Sequence, residues 1–551
     1  MLHYQEMLSL TDNMKSIPER LLSLPSEILY IERDALLQDG PNLQRLLFKE
    51  IITRAFGSCY GKAHDIHPDM TLSEWQDIVP ITTYVDYAPY VQKELHGESF
   101  QLYNNETEMY IATTGSTGKM KLFMESAAGN AAKLLVMAVR GMIMGDLLPV
   151  TRDMEAKNLT ISNYAQLGTS VDGKPILRAS GQTARNLRRK TGTMNILSTQ
   201  FWMIPNLLPE ERDYMMGVYA LAERRLSKVF CNNLYAFGRV LKQIDQHAAD
   251  MIEDIRRGRF SIGKDNVLPK SSFQANFERA QEIENIFQVK GNLLQAPETI
   301  LALWPNCQMV SCWLSGSVGR DAREVLRYMP ANVQCFDMGY GASEGKFSVP
   351  TKLACASGVA APFSVFFEFQ PLDRKERPLY MWEVQDGEYY ELIVTTYSGL
   401  YRYNMLDVVH IEGFFGATPN IVFCGKSTEW VLVGQKKIYG FEISDLFYEI
   451  ERRRKVHFDV VQAYTEDEAL YYVLSSEDVV DYRELKGALD RYSLFHWGVH
   501  SSGICVMKKS YKPSMFNERV RIDRGACGIK LPVILSESPE KEHIALIVKE
   551  A

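Results

Sequence analysis

The chain has 551 residues, 46% apolar and 23% charged, which is ordinary globular composition and excludes both a disordered chain and a single-core domain, so at least two domains are expected. Its 61 basic and 68 acidic residues leave a formal charge of −7, which excludes bulk attraction to nucleic acid or to an anionic membrane. Nine cysteines, an odd number without a Cys-x-x-Cys pair, exclude a disulfide framework and point to reduced thiols.

The N-terminus has no basic segment followed by an apolar core, so no secretory signal is expected and the expected compartment is the cytoplasm. The first hundred residues read as helical, with Leu43, Leu46, Leu47, Ile51 and Phe56 recurring on one face over 43–56. A short strand is expected over 108–112 and a helix rich in Ala, Leu and Met over 127–142. The apolar stretch 134–150 is interrupted by Arg140 and Asp146, falls short of a comfortable bilayer span and reads as a buried helix.

Helical patterns follow over 214–226 and 237–255, in a middle region without a catalytic constellation. A strand over 307–314, a helix over 322–328 and a strand over 333–338 then suggest an α/β sheet. From 363 to 414 the texture turns to dense β signal, with strands over 379–384, 389–396 and 408–414 and an Asp386-Gly387 turn, read as a hairpin or small barrel. After 423–426 the pattern weakens and restarts as a small α+β unit: helix 441–453, strands 460–464 and 470–475, helix 482–492 and strand 503–508. A hinge near 426 would divide a region 1–425 from a region 426–551. The basic runs 185–190 and 452–455 lack interleaved aromatics and read as solvated helix faces, and the pairs His64/His67 and His496/His500 lack ligand partners.

The chemistry starts at Thr-Thr-Gly-Ser-Thr-Gly-Lys-Met-Lys over 113–121. Gly115 and Gly118 let backbone N–H groups approach an anion, Thr113, Thr114, Ser116 and Thr117 add hydroxyl donors, and Lys119 and Lys121 add charge. The expected ligand is a nucleotide. A Walker A loop is excluded, because Thr113 stands at its first glycine position and Met120 follows Lys119. Three further segments follow in order: Tyr-Gly-Ala-Ser-Glu-Gly over 340–345, Tyr-Arg-Tyr-Asn-Met-Leu-Asp-Val over 401–408, and Gly-Ile-Lys-Leu-Pro over 528–532.

A carboxylate that attacks the α-phosphorus of ATP needs phosphate donors and Mg²⁺ to offset charge, and these segments carry suitable groups. Tyr340 has an aromatic face for adenine, Ser343 a hydroxyl for the α-phosphate region and Glu344 an oxygen ligand for Mg²⁺. Asp407 has two acceptor oxygens for the ribose hydroxyls.

Together the four segments resemble adenylate-forming enzymes, and within them the GH3 acyl-acid amido synthetases. The likeness covers nearly the whole chain, including Pro-Ile-Thr-Thr-Tyr over 80–84, Tyr90-Val91 and Leu-Ile-Val-Thr-Thr-Tyr-Ser-Gly-Leu-Tyr-Arg over 392–402. It implies a large N-terminal α/β domain of β-sheets flanked by helices plus a small β-barrel, with a smaller, mobile α+β C-terminal domain. The resemblance assigns the same roles to Tyr340, Ser343, Glu344 and Asp407, and makes Gly316 and Ser317 an adenine-side loop. It makes Lys530 the lysine that stabilises the pentacovalent charge. Lys436, with Lys437 as a register alternative, is the second catalytic candidate, and Lys426 stands where the family often has arginine at the hinge.

One departure is Leu406, where the family usually has glycine before the aspartate. The implied function is a monomeric ligase that takes ATP, Mg²⁺, a small carboxylic acid and an amino acid. Transfer to a thiol such as coenzyme A, or a silent nucleotide-binding protein, are the alternatives, and the acyl substrate itself is not legible in the sequence.

Overall fold

A computed structural model describes residues 15–113, 120–149, 157–161, 166–182, 196–197, 208–261, 274–476, 478–499, 501–508 and 533–549. The N-terminal part is helical because polar caps alternate with apolar stripes. Thr71 and Glu74 form a reciprocal capping box that starts Leu72–Ile78, and Ser58 caps Cys59–Ala63. The helix Gly40–Ala55 buries Leu43, Leu47, Phe48, Ile51 and Ile52. Leu46 and Phe56, expected on that face, are 47% and 52% exposed, so the buried stripe is narrower than the sequence pattern. The helix Ala127–Leu147 runs on past the expected end at 142. It is long and apolar enough to cross a membrane, but Leu135, Val136, Val139 and Ile143 are buried in the largest core among the described residues.

A parallel sheet runs Ile196–Leu197, Lys157–Ile161, Leu226–Cys231, Met309–Cys312, Gln334–Asp337. Leu226, expected to end a helix, instead opens a strand, since the helix stops at Ala222 (Pro209–Ala222). Helices Tyr235–Arg257, Phe277–Lys290 and Gly316–Leu326 lie beside this sheet, and their apolar faces share a second core with it.

The dense β region forms a seven-stranded antiparallel sheet in the order Ser348–Pro350, Gly358–Ala360, Thr418–Lys426, Tyr403–Phe415, Tyr389–Thr395, Phe366–Pro371, Leu379–Tyr380. Among the described residues its two outer strands do not pair with each other, so the sheet is open where a small barrel was expected. It is clamped to the N-terminal helices by a buried ion pair, Arg402 with Glu368. The Arg402 Nε lies 3.2 and 3.1 Å from the two Glu368 oxygens, and its Nη1 donates to the carbonyls of Gln76 (2.9 Å) and Val79 (2.7 Å). Beside this clamp, Tyr60 stacks on Tyr87 and Tyr401 with centroids 5.6 and 5.0 Å apart.

The C-terminal part has its own core. A hairpin, Trp430–Val433 with Lys436–Tyr439, precedes the helix Gly440–Arg454. A four-stranded sheet of Val460–Glu466, Ala469–Ser475, Ser501–Met507 and Ile544–Lys549 carries the helix Tyr482–Trp497. The basic run 452–455 is a solvated helix end as expected: Arg452 and Arg453 pair with Glu449, and Arg454 with Glu484. The run 185–190 lies outside the described residues. The helix Gly316–Leu326 joins the two parts. Arg320 pairs with Glu451 at 2.9 Å and also donates to the Phe458 carbonyl, and the Arg323 guanidinium lies 4.0 Å above the Tyr448 ring.

Candidate nucleotide-binding and active site

The expected phosphate loop sits at the tip of an antiparallel hairpin. Thr113 ends the strand Thr107–Thr113 and pairs with Lys121, the first residue of the strand Lys121–Ser126. This second strand was not expected, because Leu122, Phe123 and Met124 form a continuous apolar run that is buried on both faces and shows no alternation. Residues 114–119 lie outside the described residues, and with them Thr114, Gly115, Ser116, Thr117, Gly118 and Lys119. The loop end of the hairpin is held by Tyr84, whose hydroxyl donates to the Leu122 carbonyl at 3.1 Å and accepts from its N–H at 2.8 Å. The Lys121 ammonium lies 5.3 Å over the Tyr84 ring. Thr82 bonds in turn to Arg402 and Asn404 through its backbone, at 3.0 and 2.9 Å, so the segments 80–84 and 401–404 form one structure.

At the heart of the site the Tyr340 hydroxyl donates to Asp407 Oδ2 at 2.6 Å. The Tyr340 ring, expected to face adenine, is already covered by Phe423 (stacked, 5.2 Å) and Phe347 (tilted, 4.8 Å), so its hydroxyl is the group it presents. Gly316 lies against Phe423, and a Cβ there would meet the ring at 2.7 Å. With φ +60, this position requires glycine twice over. Gly316 also begins the helix Gly316–Leu326, six residues earlier than the expected start at 322, so the expected adenine-side loop is a helix start; the Ser317 side chain lies outside the described set.

Lys426, the last residue of Thr418–Lys426, places Nζ 2.5 Å from Asp407 Oδ1 and donates to the Met405 carbonyl at 3.1 Å. Despite that close cation, Oδ1 receives no aligned hydrogen bond, so a buried acceptor remains for an incoming hydroxyl. Leu406 adopts φ +53, the strained geometry its sequence position implied, and is braced by its N–H to Asn404 Oδ1 (2.7 Å) and its carbonyl to the Ser427 N–H (3.0 Å). Leu406→Gly should relieve about 1 kcal/mol of this strain and offset it with added chain entropy and lost contact, leaving the melting temperature within a few degrees and adenylation intact. Thermal unfolding of the variant checks it.

Glu344 is half-buried. Burial raises its carboxyl above the usual range, its own backbone N–H lowers it, Asp407 raises it, and Lys426 and Lys121 oppose the rise. Burial first, and then the nearby Glu344 charge, raise the phenol of Tyr403, 4% exposed, well above its ordinary range. Glu344 fits Mg²⁺, which takes one or two carboxylates and completes its shell with phosphate oxygens and water. Among the described residues, the group of three carboxylate or imidazole side chains close enough to share a cation is Glu540, Glu542 and His543, at the surface of the C-terminal part.

Sequence reasoning passed over Lys133 and Glu125. They form a buried ion pair, Lys133 Nζ donates to the Ser343 carbonyl at 2.8 Å, and Ser398 Oγ donates to Glu125 Oε1 at 3.0 Å. These groups line a small cavity with Phe123, Ser343, Glu344 and Leu400 and fix the backbone of the turn at 343. A lysine on an Ala- and Leu-rich helix carries no signal that it will be buried. Lys436 is not brought to this cluster. It is exposed on the C-terminal hairpin, near Asp373, in an open groove with Gln435, Glu468 and Trp497. Its neighbour Lys437 pairs with Asp373 at 2.9 Å. Lys530 lies outside the described residues.

The GH3 family N-terminal domain model matches residues 32–331, and the GH3 family central domain model matches 358–426. An indole-3-acetic acid-amido synthetase, GH3.17 of Arabidopsis thaliana, is 24% identical over 422 residues, covering 69% of this chain and 68% of the relative. The jasmonoyl–L-amino acid synthetase JAR4 of Nicotiana attenuata is 22% identical over 434 residues, covering 74% and 73%. Among solved structures, the GH3.15 acyl acid amido synthetase in complex with 2,4-DB superposes with a TM-score of 0.75 at 18% identity over 97% of this chain and 98% of that one. A 2-hydroxyisobutyryl-CoA ligase in its postadenylation state superposes at 0.52 and 10% identity, over 94% and 91%. With two family models together spanning most of the sequence, the chain belongs to the GH3 family.

Proposed function

We propose that this protein is an ATP- and Mg²⁺-dependent ligase that adenylates a small carboxylic acid and passes the acyl group to the amine of an amino acid. The observation that carries the reading is the convergence of Tyr340, Glu344, Tyr403, Asp407 and Lys426 beside Lys121, in a chain whose GH3 relatives are named as amido synthetases.

In the first step a carboxylate oxygen attacks the α-phosphorus, the bond to the β-phosphate bridging oxygen breaks, and pyrophosphate leaves with that electron pair. Thr113–Lys121 cradles the phosphates, and Asp407 Oδ1 takes ribose hydroxyls while the Tyr340 hydroxyl and Lys426 hold the carboxylate in place. Glu344 would hold Mg²⁺, which when bound offsets phosphate charge. Gly316 and Ser317 lie on the adenine side, Ser343 serves the α-phosphate region, and Lys530 neutralises the pentacovalent charge. In the second step the amine nitrogen attacks the acyl carbon, the bond to AMP breaks, and the nitrogen releases a proton. Lys436 serves this step after the C-terminal part turns about Lys426.

The test is pyrophosphate release with Mg²⁺ across a panel of carboxylic acids, with and without amino acids, followed by mass spectrometry of products formed with amine or thiol acceptors. Acid-dependent release and an amide product are expected. A thioester as sole product, or ATP binding without release for any acid, overturns the reading. Lys530→Ala should lower adenylation at least about ten-fold and leave ATP affinity within a small factor, and unchanged adenylation would remove that lysine from the mechanism.

A further inference from the structure

The turn that carries Ser343 and Glu344 is closed at its neck by its own backbone and braced at its tip from outside. At the neck Gly341 pairs with Lys346, and the Ala342 N–H donates to the Gly345 carbonyl at 2.9 Å. At the tip Lys133 Nζ, on the helix Ala127–Leu147, donates to the Ser343 carbonyl at 2.8 Å.

Lys133 is itself held by a buried chain of polar groups. It is 8% exposed and forms an ion pair with Glu125, which is 1% exposed. Ser398 Oγ donates to Glu125 Oε1 at 3.0 Å and accepts from the Ser126 N–H at 3.2 Å. Ser126 Oγ in turn donates to the Tyr397 carbonyl and accepts from the Gly129 N–H, both at 3.0 Å. Gly129 leaves the room this needs, since a Cβ there would lie 2.0 Å from Ser398 Oγ and 2.6 Å from Glu125 Oε1. The chain joins the strand Lys121–Ser126, behind the expected phosphate loop, to the turn at 343. Two charges buried beside Phe123, Leu102 and Leu400 are a weak source of stability, because a well-packed apolar pair of similar volume could replace them without loss. An apolar pair could not donate to the Ser343 carbonyl.

A trans peptide points its carbonyl and its N–H in opposite directions. With the Ser343 carbonyl drawn to Lys133, the Glu344 N–H is turned the other way. There it meets its own carboxylate, on which Asp407, Lys426 and Lys121 also act, so this N–H lies on the proposed nucleotide side. Resting on the adenylation reading, we infer that Lys133 is a positioning residue: it orients the Ser343–Glu344 peptide so that the Glu344 N–H donates to an α-phosphate oxygen as the pentacovalent charge builds. A donor aligned before the reaction costs no reorganisation during it. Its benefit falls on kcat more than on ATP binding, because the charge it meets grows only in the transition state.

Removing Lys133 alone would strand the Glu125 carboxylate, so the main variant is Lys133→Met/Glu125→Gln, which removes both charges and keeps an acceptor for Ser398. It should melt within a few degrees of the wild-type chain, bind ATP within about five-fold by calorimetry, and lose about ten- to hundred-fold in kcat for pyrophosphate release. Lys133→Arg keeps a donor and the pair with Glu125, and should recover most of that kcat. Wild-type kcat in the folded double variant overturns the inference, as does a loss confined to the KM of ATP or acid, or one that Lys133→Arg shares in full. Amide hydrogen exchange of the segment 340–347 gives a readout apart from turnover: ATP with Mg²⁺ should slow exchange at Glu344 in the wild-type chain and not in the double variant. If no acid releases pyrophosphate, the adenylation reading fails. Slowing that the double variant abolishes then keeps Lys133 as the residue that presents this N–H to nucleotide, and slowing absent or unchanged removes it.

Discussion

Arg402→Ala should destabilise the folded chain by about 3–5 kcal/mol, the cost of stripping one partner from a buried ion pair. Arg402 and Glu368 are 3% and 1% exposed, and the guanidinium also satisfies the carbonyls of Gln76 and Val79. Its removal leaves the Glu368 carboxylate in the interior with only Trp75 Nε1 (3.4 Å) and Gln76 Nε2 (2.9 Å) as donors. The Gln76 and Val79 carbonyls, at the end of the helix Leu72–Ile78, lose their partner too. Arg402 holds φ +47, so part of the loss is offset by relief of backbone strain only if glycine replaces it. Urea unfolding of Arg402→Ala against the wild-type chain decides the matter, and a change below 1 kcal/mol would mean that the pair is not a clamp.

Asp407→Ala should lower kcat/KM for ATP about 10²–10³-fold. Two hydrogen bonds from ribose hydroxyls to a carboxylate contribute about 1.5–2 kcal/mol each, and every 1.4 kcal/mol is ten-fold. The same substitution leaves the buried Tyr340 hydroxyl without its acceptor and Lys426 without its counter-charge. A melting curve recorded beside the kinetics separates loss of fold from loss of nucleotide binding. Asp407→Asn keeps one acceptor oxygen and the shape, and should recover stability before it recovers activity. Adenylation within a few-fold of wild type in both variants would move the ribose contact elsewhere.

The segments that form the site were legible because each is local: Tyr340 to Glu344 is one turn, and Tyr401 to Asp407 is one stretch with the strained Leu406 just before the aspartate. The left-handed Leu406 followed from an added Cβ at a position that favours glycine. What joins these segments was not legible. Lys426 reaches Asp407 across an antiparallel pairing, and Tyr403 meets Glu344 only once the sheet has folded. The Lys133–Glu125 pair reads in sequence as two surface charges, since nothing local announces burial. Pattern failed at Lys121–Ser126, which has no period-2 signal, and at Leu46 and Phe56, where tertiary packing covers less than the periodic face offers. Strand existence was legible in the dense β region, but whether a sheet closes is decided by pairing between its outer strands, which no single strand encodes.

The helix Gly316–Leu326 starts against Phe423, the ring stacked on Tyr340, and further along presents Arg320 to Glu451 and Arg323 to Tyr448. An eleven-residue rigid rod therefore spans from the nucleotide side to the C-terminal part. Two equilibria that share one rod are thermodynamically linked: if docking of the C-terminal part tightens nucleotide binding by some factor, nucleotide tightens docking by that same factor. Loss of either arginine contact would then be felt as weaker ATP affinity, although both side chains reach residues of the C-terminal part, and ATP would in turn shield Arg320 and Arg323 from solvent.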